Sequence, residues 1–184
     1  MIDPVIARGI KLLGLDVDGV LTDNAVYVGS VKGERVEFKR FDIQDGLGMA
    51  MLRDSDIAIA WVSGRESEAT RLRGRELKIP DVIEVDSAAK LPAVEALLAK
   101  RGITWDQLAF VGDDIADVPI LRRCGLPIAV ANAVQEVKDL SAYVTETPGG
   151  NGAVREVIEA VLKARGSWTE SVSHYLKTRG DDAA

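Results

Sequence analysis

Short apolar runs that alternate with helix-like stretches constrain the fold of this 184-residue chain more than any other feature. Six such runs are rich in aliphatic residues, and several are apolar at every position, as strands buried on both faces are. They cover residues 10–17, 57–62, 82–85, 108–111, 127–130 and 143–145. The helix-like stretches cover residues 46–53, 66–77, 91–100, 117–123, 135–140 and 153–164. The alternation predicts an α/β fold with a single Rossmann-like parallel sheet and helices on both faces.

Two segments depart from this alternation. Residues 25–41 predict a β-hairpin insertion whose loop covers residues 29–33 and contains glycine. Residues 167–184 predict a C-terminal extension, in which Ser167 and Glu170 resemble a capping box that starts a short helix. Residues 178–184 have the composition of a disordered tail. We therefore expect one domain over residues 1–166, followed by the extension.

Charge and cysteine content exclude several classes of partner. The chain has 29 acidic and 23 basic residues and a formal net charge of −6, which argues against nucleic acid or an anionic membrane as its main partner. No apolar run approaches the roughly 18 residues of a membrane span, and residues 1–9 lack the apolar stretch of a signal peptide. Cys124 is the single cysteine, so no intrachain disulfide forms. A cytoplasmic location is expected.

Two aspartates follow the first predicted strand, in the segment Leu15-Asp16-Val17-Asp18-Gly19. In parallel α/β sheets, ligands bind beyond the carboxyl ends of the strands. Carboxylates at positions i and i+2 of an extended backbone point to the same side and together favour a cation. Oxygen ligands favour Mg²⁺ or a similar hard ion. One carboxylate could attack phosphorus while the other moves the proton of the leaving oxygen, although an isolated pair of this kind more often forms a simple turn.

Three later strand ends carry residues that suit phosphate chemistry. Ser63 precedes a helix and could hold a phosphate with its hydroxyl and the nearby backbone N–H groups, and Lys90 could neutralise phosphate charge. After residues 108–111 come Asp113, Asp114 and Asp117, which indicate a metal site. Singly, these residues are as well explained by helix capping or by a solvated lysine. Together they supply the positioning and charge neutralisation that phosphoryl transfer needs.

The content and order of these motifs resemble the haloacid dehalogenase superfamily of phosphatases. Four segments, residues 16–23, 38–46, 112–119 and 149–156, are similar to the 3-deoxy-D-manno-octulosonate 8-phosphate (KDO 8-phosphate) phosphatase family. The similarity runs from about residue 10 to residue 166. It implies a Mg²⁺-dependent phosphatase without a lid domain that hydrolyses the phosphate ester of a sugar acid.

The resemblance also implies a role for each residue of the site. Asp16 is the nucleophile, which forms an aspartyl-phosphate, and Asp18 is the acid and base. Mg²⁺ is held by Asp16, the backbone carbonyl of Asp18 and Asp113, with Asp114 and Asp117 in support. The groups expected to contact the substrate are Ser63, the Gly64 amide and Lys90 for the phosphate, with Arg65 and Arg73 for the sugar acid.

The absence of a lid gives the resemblance a second implication. Only 26 residues separate Ser63 from Lys90, too few for a lid domain, so other parts must shield the site from water. In the resembling family the hairpins assemble a homotetramer, and a glycine-rich tail of one subunit reaches a neighbour's site. Residues 147–155 match that tail, although a surface loop that caps the final helix would also explain them.

Four other interpretations are weighed against this one. A phosphosignalling receiver domain carries its phosphorylated aspartate after the middle strand, where this chain has Ser63. A phosphosugar mutase normally needs a lid. A non-catalytic tetramerisation module need not keep Asp16, Asp18, Lys90 and Asp113, all of which are present. A phosphatase for a nine-carbon sialic-type sugar 9-phosphate is the nearest alternative, but its family carries an acidic residue at the position of Arg65.

Overall fold

The structure is a computed structural model that describes residues 1–53, 55–86 and 89–181. Its strands are β1 (Leu12–Leu15), β2 (Tyr27–Val31), β3 (Glu34–Phe38), β4 (Ala58–Ser63), β5 (Asp81–Glu84), β6 (Leu108–Gly112), β7 (Leu126–Ala129) and β8 (Tyr143–Val144). Six of them form one sheet in the order β5-β4-β1-β6-β7-β8, and every pair in it is parallel. Strands β2 and β3 form a separate antiparallel pair. The predicted fold class is confirmed.

The central position of β1 determines where a ligand would bind. Leu15, the last residue of β1, pairs with Trp61 of β4 on one side and with Val111 of β6 on the other. The carboxyl ends of these three strands therefore lie at one level. Strand order reverses at β1, because the chain next builds β4 and β5 on one side and then β6 to β8 on the other. Such a switch point is where open α/β sheets bind their ligands.

The helices are α1 (Pro4–Gly9), α2 (Ile43–Met51), α3 (Glu68–Glu76), α4 (Lys90–Arg101), α5 (Val118–Leu121), α6 (Gln135–Leu140), α7 (Ala153–Arg165) and α8 (Trp168–Lys177). One group consists of α1, α2 and α8 packed around α7, and α4, α5 and α6 form a second group. Within the described ranges, no helix combines the length and the apolar character needed to span a bilayer.

A single core fills the space between sheet and helices. Its largest fully buried side chains include Trp61 and Phe110 from the middle of the sheet, and Phe41 stacks on Trp61 with ring centres 6.1 Å apart. Cys124 belongs to this core, and burial raises the pKa of its thiol to about 12. The thiol is therefore protonated at neutral pH and packs as an apolar group.

Local capping explains most differences between the predicted and observed helices. Helix α1 was not predicted, although Asp3 accepts a hydrogen bond from Val5 N–H at 2.6 Å and Pro4 occupies the first helical position. Helix α2 begins at Ile43 rather than at residue 46, because Asp42 caps it through a 2.7 Å bond from Gln44 N–H. Helix α4 ends, as predicted, at Gly102, whose φ of 64° suits glycine.

The first strand of the hairpin is longer and its turn is tighter than predicted. Its loop is only Lys32-Gly33, not residues 29–33, and both turn residues have positive φ, 53° and 85°. This is the geometry of a type I′ turn, whose twist matches that of two paired strands. Gly29 and Val31 consequently belong to β2 and pair with Val36 and Glu34 of β3.

The C-terminal extension forms the predicted helix, α8, but not the predicted capping box. The Ser167 side chain makes no cap hydrogen bond, because Ser167 belongs to the tight junction that follows Gly166, whose φ is 80°. Trp168 anchors α8 to α7, with Arg155 and Lys163 above its ring at 5.4 and 5.3 Å. Residues 178–181 continue from α8, and residues 182–184 of the predicted disordered tail lie outside the described ranges.

Candidate active site

Three buried carboxylates meet at the carboxyl ends of β1 and β6. Asp16 directly follows β1, Asp113 directly follows β6, and Asp117 lies just before α5. One oxygen of each lies within 4.8 Å of the others, and their exposed fractions are only 5%, 4% and 0%. Adjacent strand ends thus bring together residues that are about one hundred positions apart in the chain. Like charges this close and this dry require a compensating cation.

Lys90 supplies part of that compensation from the first residue of α4. Its Nζ lies 2.6 Å from Asp16 Oδ1 and 2.8 Å from Asp117 Oδ1, and the side chain is buried. Burial lowers the pKa of the Lys90 ammonium, but the charges of Asp16 and Asp117 outweigh burial and leave that pKa above its usual value. Burial and the neighbouring Asp117 raise the pKa of Asp16 well above its usual value and that of Asp113 to about 6. One ammonium therefore does not balance three carboxylates.

The donor atoms fit a hard divalent cation. Asp113 Oδ1 is buried and has no hydrogen-bond partner among the described residues. Its other oxygen lies against Gly19, which has a φ of 94° and where a Cβ atom would collide with the carboxylate. Gly19 thus lets the loop after β1 close over Asp113. A cluster of carboxylate oxygens with an unsatisfied, buried member is the environment that Mg²⁺ prefers.

The two remaining acidic residues after β6 differ in position. Asp117 accepts hydrogen bonds from Asp113 N–H at 3.0 Å and from Lys90, so it fixes the loop that carries Asp113. Asp114 is exposed, lies outside the group of three, and accepts a 2.7 Å hydrogen bond from Ile115 N–H. Of the two residues expected to support the metal site, Asp114 thus caps the turn, while Asp117 lies among the three clustered carboxylates.

Asp18 lies next to this cluster but has its own cationic partners. Lys39 Nζ lies 2.8 Å from Asp18 Oδ1 and 3.0 Å from Oδ2, and it donates to Thr70 Oγ1 at 3.1 Å. Arg65 donates from Nε to Asp18 Oδ2 at 3.2 Å. The wide turn closed by Thr22 N–H and Val17 O at 3.1 Å carries Asp18, which lies outside the group of three clustered carboxylates. The two aspartates of the motif therefore have different environments.

Glu37 of β3 holds the other side of the Arg65 guanidinium. It accepts hydrogen bonds from Arg65 at 3.0 and 3.1 Å and from Ser67 Oγ at 2.8 Å. The hydrogen bond from Arg65 is the main reason that the pKa of Glu37 is lowered, and the hydrogen bond from Ser67 acts in the same direction. Arg65 thereby joins the hairpin to the loop that follows β4.

Ser63 and Gly64 lie where the sequence predicts a phosphate-binding loop. Ser63 is fully buried, and its hydroxyl donates to Arg65 O at 2.8 Å and accepts from Arg65 N–H at 3.3 Å. Gly64 opens onto a cleft of about 270 Å³. The lining residues are Asp16, Asp18, Asn24, Val26, Gly64, Arg65, Lys90, Asp113, Asp114 and Ala116. The cleft therefore contains most of the predicted site residues.

Arg73 lies outside this cleft. Its guanidinium pairs with Glu76 at 2.7 Å and lies against Gly46 of α2. Its Nε is buried and has no partner among the described residues. Within one chain, Arg73 therefore does not converge with the other predicted site residues.

The glycine-rich segment packs against the loop that carries the acid pair of its own chain. Gly150 N–H donates to Val20 O at 3.0 Å, and Gly149 touches Gly19 so closely that a Cβ atom would collide with the Gly19 carbonyl. Asn132 bridges the two, because it donates to Gly19 O at 3.1 Å and accepts from Gly149 N–H at 2.6 Å. These contacts stabilise the loop on which Asp18 and Gly19 lie.

Lys39, Glu37 and Thr70 belong to the site but were not among its predicted residues. Lys39 and Glu37 lie at the end of the hairpin, and Thr70 lies in α3, far from any strand end. The position of Lys39 between the aromatic residues Phe38 and Phe41 is only a weak indication that it is functional. Nothing in the sequence pattern predicts that its side chain is buried. Only the tertiary contact between the end of the hairpin and α3 brings these side chains to Asp18.

Comparison with known proteins gives one consistent result. A family model described as haloacid dehalogenase-like hydrolase matches residues 78–158. The 3-deoxy-D-manno-octulosonate 8-phosphate phosphatase KdsC of Escherichia coli K12 is 41% identical over 90% of this chain and 86% of its own length. The enzyme of the same name from Haemophilus influenzae is 40% identical over 93% of this chain and 94% of its own.

A solved structure extends the similarity to three dimensions. The crystal structure of 3-deoxy-D-manno-octulosonate 8-phosphate phosphatase from Moraxella catarrhalis, in complex with magnesium ion, phosphate ion and KDO, superposes with a TM-score of 0.87. It is 38% identical, and the match covers 94% of this chain and 97% of that one. Identity at this level over nearly the full length of both chains extends well beyond the motifs of the acidic cluster. We conclude that this chain belongs to the KDO 8-phosphate phosphatase family of the haloacid dehalogenase superfamily.

Proposed function

We propose that this protein is a Mg²⁺-dependent phosphatase that hydrolyses KDO 8-phosphate through an aspartyl-phosphate on Asp16. One observation carries the proposal: Asp16, Asp113, Asp117 and Lys90 converge, buried, at the strand ends that border the cleft. Mg²⁺ held by Asp16 and Asp113 would compensate the carboxylate charge that Lys90 leaves unbalanced. The magnesium, phosphate and KDO bound to the Moraxella catarrhalis relative support the same assignment.

The proposed reaction uses the two aspartates in turn. Asp16 attacks the phosphorus, the bond between phosphorus and the sugar oxygen breaks, and Asp18 gives a proton to that oxygen. Asp18 then takes a proton from water, the water oxygen attacks the phosphorus, and inorganic phosphate leaves with Asp16 restored. Bound Mg²⁺ would neutralise charge that spreads over the phosphoryl oxygens. Ser63, Gly64 and Lys90 are proposed to hold these oxygens.

The substrate assignment depends on Arg65. Its guanidinium lines the cleft next to Asp18, and its side chain is 35% exposed, so it can reach the group to which the phosphate is attached. A guanidinium fork suits a carboxylate, which KDO 8-phosphate carries and a neutral hexose phosphate lacks. The nine-carbon sialic-type sugar 9-phosphate remains the alternative substrate. A cytoplasmic location stays a prediction.

A homotetramer built on the hairpin is part of the proposal. Val28, Val31 and Phe38 expose 57%, 56% and 65% of their surface, although β-branched and aromatic residues on a two-stranded hairpin are normally covered. Copies of the hairpin would cover one another and remove its open edges. The role of Arg73 in binding the sugar acid, which the resemblance implies, stays a prediction.

The proposal is tested by hydrolysis of a panel of sugar phosphates with Mg²⁺, in the wild type and in Asp16→Asn. We expect KDO 8-phosphate to be the best substrate. The loss in kcat for Asp16→Asn should be at least about 10³-fold, because an amide is neither a nucleophile nor a good Mg²⁺ ligand. Circular dichroism checks that the variant is folded. Wild-type hydrolysis of no phosphate ester would favour the non-catalytic module, and an active Asp16→Asn would exclude the covalent route.

A further inference from the structure

Lys39 is a buried cation that the proposed reaction does not yet use. Its side chain has no exposed surface, and it follows directly on the hairpin strand β3. Its Nζ contacts both oxygens of Asp18, at 2.8 and 3.0 Å, and Thr70 Oγ1 at 3.1 Å. Thr70 is itself fully buried in α3. The ammonium is thus held on one side by Asp18 and on the other by Thr70 of α3, a helix that contributes no residue to the acidic cluster.

The geometry points to Lys39 as the positioning residue for the acid–base carboxylate Asp18, an inference that rests on the proposed function. A carboxylate on a single side-chain bond can rotate, and a proton donor must lie within hydrogen-bonding reach of the leaving oxygen. Contacts from one ammonium to both oxygens fix the plane of the Asp18 carboxylate. A group held in this way needs no reorganisation when the bond to phosphorus breaks.

Arg65 also contacts Asp18, but its contacts differ in a way that separates the two cations. The Arg65 distances are longer, 3.2 and 3.4 Å, and its side chain is 35% exposed, whereas Lys39 is fully enclosed. Arg65 borders the cleft and is available to a substrate anion. Lys39 does not line the cleft and therefore retains its hold on Asp18 while a substrate is bound.

Removal of the Lys39 charge should not unfold the protein. Asp18 would keep Arg65 as a partner, and its side chain is 25% exposed, so no carboxylate is left buried and unpaired. Lys39→Met preserves most of the apolar stem. Thr70→Val removes only the second partner of the ammonium and keeps the branched shape of the side chain.

The test compares two esters whose leaving groups differ in their need for a proton. The sugar oxygen of KDO 8-phosphate is a poor leaving group that needs protonation, whereas p-nitrophenol leaves without it. In Lys39→Met we expect kcat/KM to fall about 100-fold for KDO 8-phosphate and no more than about 10-fold for p-nitrophenyl phosphate, since general acid catalysis contributes factors of this size. Lys39→Arg should recover part of the loss, and Thr70→Val should show the same asymmetry on a smaller scale. The matched control is Lys163→Met, which removes an ion pair with Glu159 in α7 and should leave both rates unchanged.

Each outcome decides between positioning and a merely structural role. Equal losses on both esters in folded Lys39→Met, or no loss on either, would overturn the inference. If Lys39→Met does not fold, Thr70→Val and Lys39→Arg decide in the same way. In an Asp18→Asn background, Lys39→Met should cause little further loss, because the two residues act through one group. If the wild type hydrolyses neither ester, the proposed function fails and not only the role of Lys39.

Discussion

The Nζ atom of Lys90 lies 2.6 Å from Oδ1 of Asp16, the proposed nucleophile, and 2.8 Å from Oδ1 of Asp117. All three side chains are buried, so the lysine is a counterion of the folded protein as well as a proposed phosphate ligand. Breaking one side of a buried ion pair leaves an uncompensated charge, which is more damaging than removal of the whole pair. The role of Lys90 in stability can therefore be separated from its role in catalysis.

We predict that Lys90→Met lowers the free energy of unfolding, measured with urea in a metal-free buffer, by about 3–5 kcal/mol. Asp117→Asn in the same chain should recover part of this loss, because it removes one of the two carboxylates left without a cation. Hydrolysis should remain impaired in the double variant, because the phosphate ligand is still missing. Arg75→Met serves as the control, since its ion pair with Glu68 is exposed on both sides and contributes at most about 1 kcal/mol. An unchanged stability of Lys90→Met would mean that the carboxylates are balanced by other means.

Mg²⁺ should stabilise the wild type in a way that depends on Asp113. A cation that binds only the folded state raises the free energy of unfolding, by about 2.7 kcal/mol at one hundred times its Kd, and the melting temperature rises with it. In Asp113→Asn we expect most of this increase to disappear, because a buried ligand oxygen is lost. Asp114→Asn is the matched control and should keep the increase, because Asp114 is exposed and lies outside the carboxylate cluster. Equal responses of the two variants would reject the assignment of Asp113 as a ligand.

Much of the site was predictable because parallel strands place their ends together. Asp16, Ser63 and Asp113 each follow an apolar run, and the register of β1 with its two neighbours makes these positions converge. Periodicity and caps also predicted α6 with the observed bounds and the end of α4 at Gly102.

Contacts that depend on tertiary folding could not be predicted. Lys39 reaches Asp18 only because the end of the hairpin packs beside α3. Asp117 is buried with Lys90 and the Asp113 N–H group as partners, whereas Asp114 is exposed. Both aspartates follow the same strand and have the same side chain, so their sequence pattern carries no information on which one faces inward. The capping box at Ser167 was predicted wrongly, because the tight junction after Gly166 sets the conformation of that residue.

Asp45 should make the stability of the protein depend on pH. This residue of α2 is 1% exposed and accepts a 2.8 Å hydrogen bond from Arg155 N–H at the start of α7, while its Oδ2 is buried without a partner among the described residues. Burial, with a smaller contribution from the charge of Asp42, raises the pKa of Asp45 to about 7. Hydrogen bonds from the backbone N–H groups of Arg155 and Val154 and the charge of Arg73 act in the opposite direction. An aspartate in the unfolded chain has a pKa of about 3.9. Between this pH and about pH 7, Asp45 is therefore protonated in the folded chain and ionised in the unfolded chain. The free energy of unfolding should therefore fall as the pH rises from about 4 to about 7, by at most about 1.4 kcal/mol per pH unit from this group.

The measurement is the difference between the wild type and Asp45→Asn in urea unfolding at several pH values. An asparagine does not titrate, so the contribution of Asp45 to the slope should vanish in the variant, whatever its absolute stability. Asp106→Asn, at an exposed position, should leave the slope of the wild type unchanged. If the difference between the wild type and Asp45→Asn does not vary with pH, the pKa of Asp45 is the same in the folded and unfolded states, and the prediction is wrong.

The hairpin should determine the oligomeric state. We expect a tetramer by light scattering for the wild type, and species of lower order for Val28→Glu, because a charge at an exposed apolar position of the hairpin opposes association. Val5→Glu in α1 is the control, since Val5 is also exposed, at 71%, but lies outside the hairpin. Loss of assembly should reduce activity as well, if neighbouring subunits complete the site. A fully active monomer of the wild type would refute the proposed assembly.

The last prediction concerns Arg65 and the choice of substrate. In the free protein its guanidinium is held by Glu37 at 3.0 and 3.1 Å and by Asp18 at 3.2 Å, with part of its surface open to the cleft. If it binds the carboxylate of the sugar acid, Arg65→Ala should reduce kcat/KM for KDO 8-phosphate by an amount equivalent to about 1.5–3 kcal/mol, the range for hydrogen bonds to charged groups. A neutral hexose 6-phosphate should lose much less, because it offers no anionic group to the fork. Arg65→Lys should give an intermediate result, since it keeps the charge without the two parallel donors.

The rates for KDO 8-phosphate, the nine-carbon sugar acid 9-phosphate and the hexose 6-phosphate are compared in all three proteins. Equal losses on every ester, or a wild-type preference for the hexose, would leave a sugar phosphatase whose specificity does not come from Arg65.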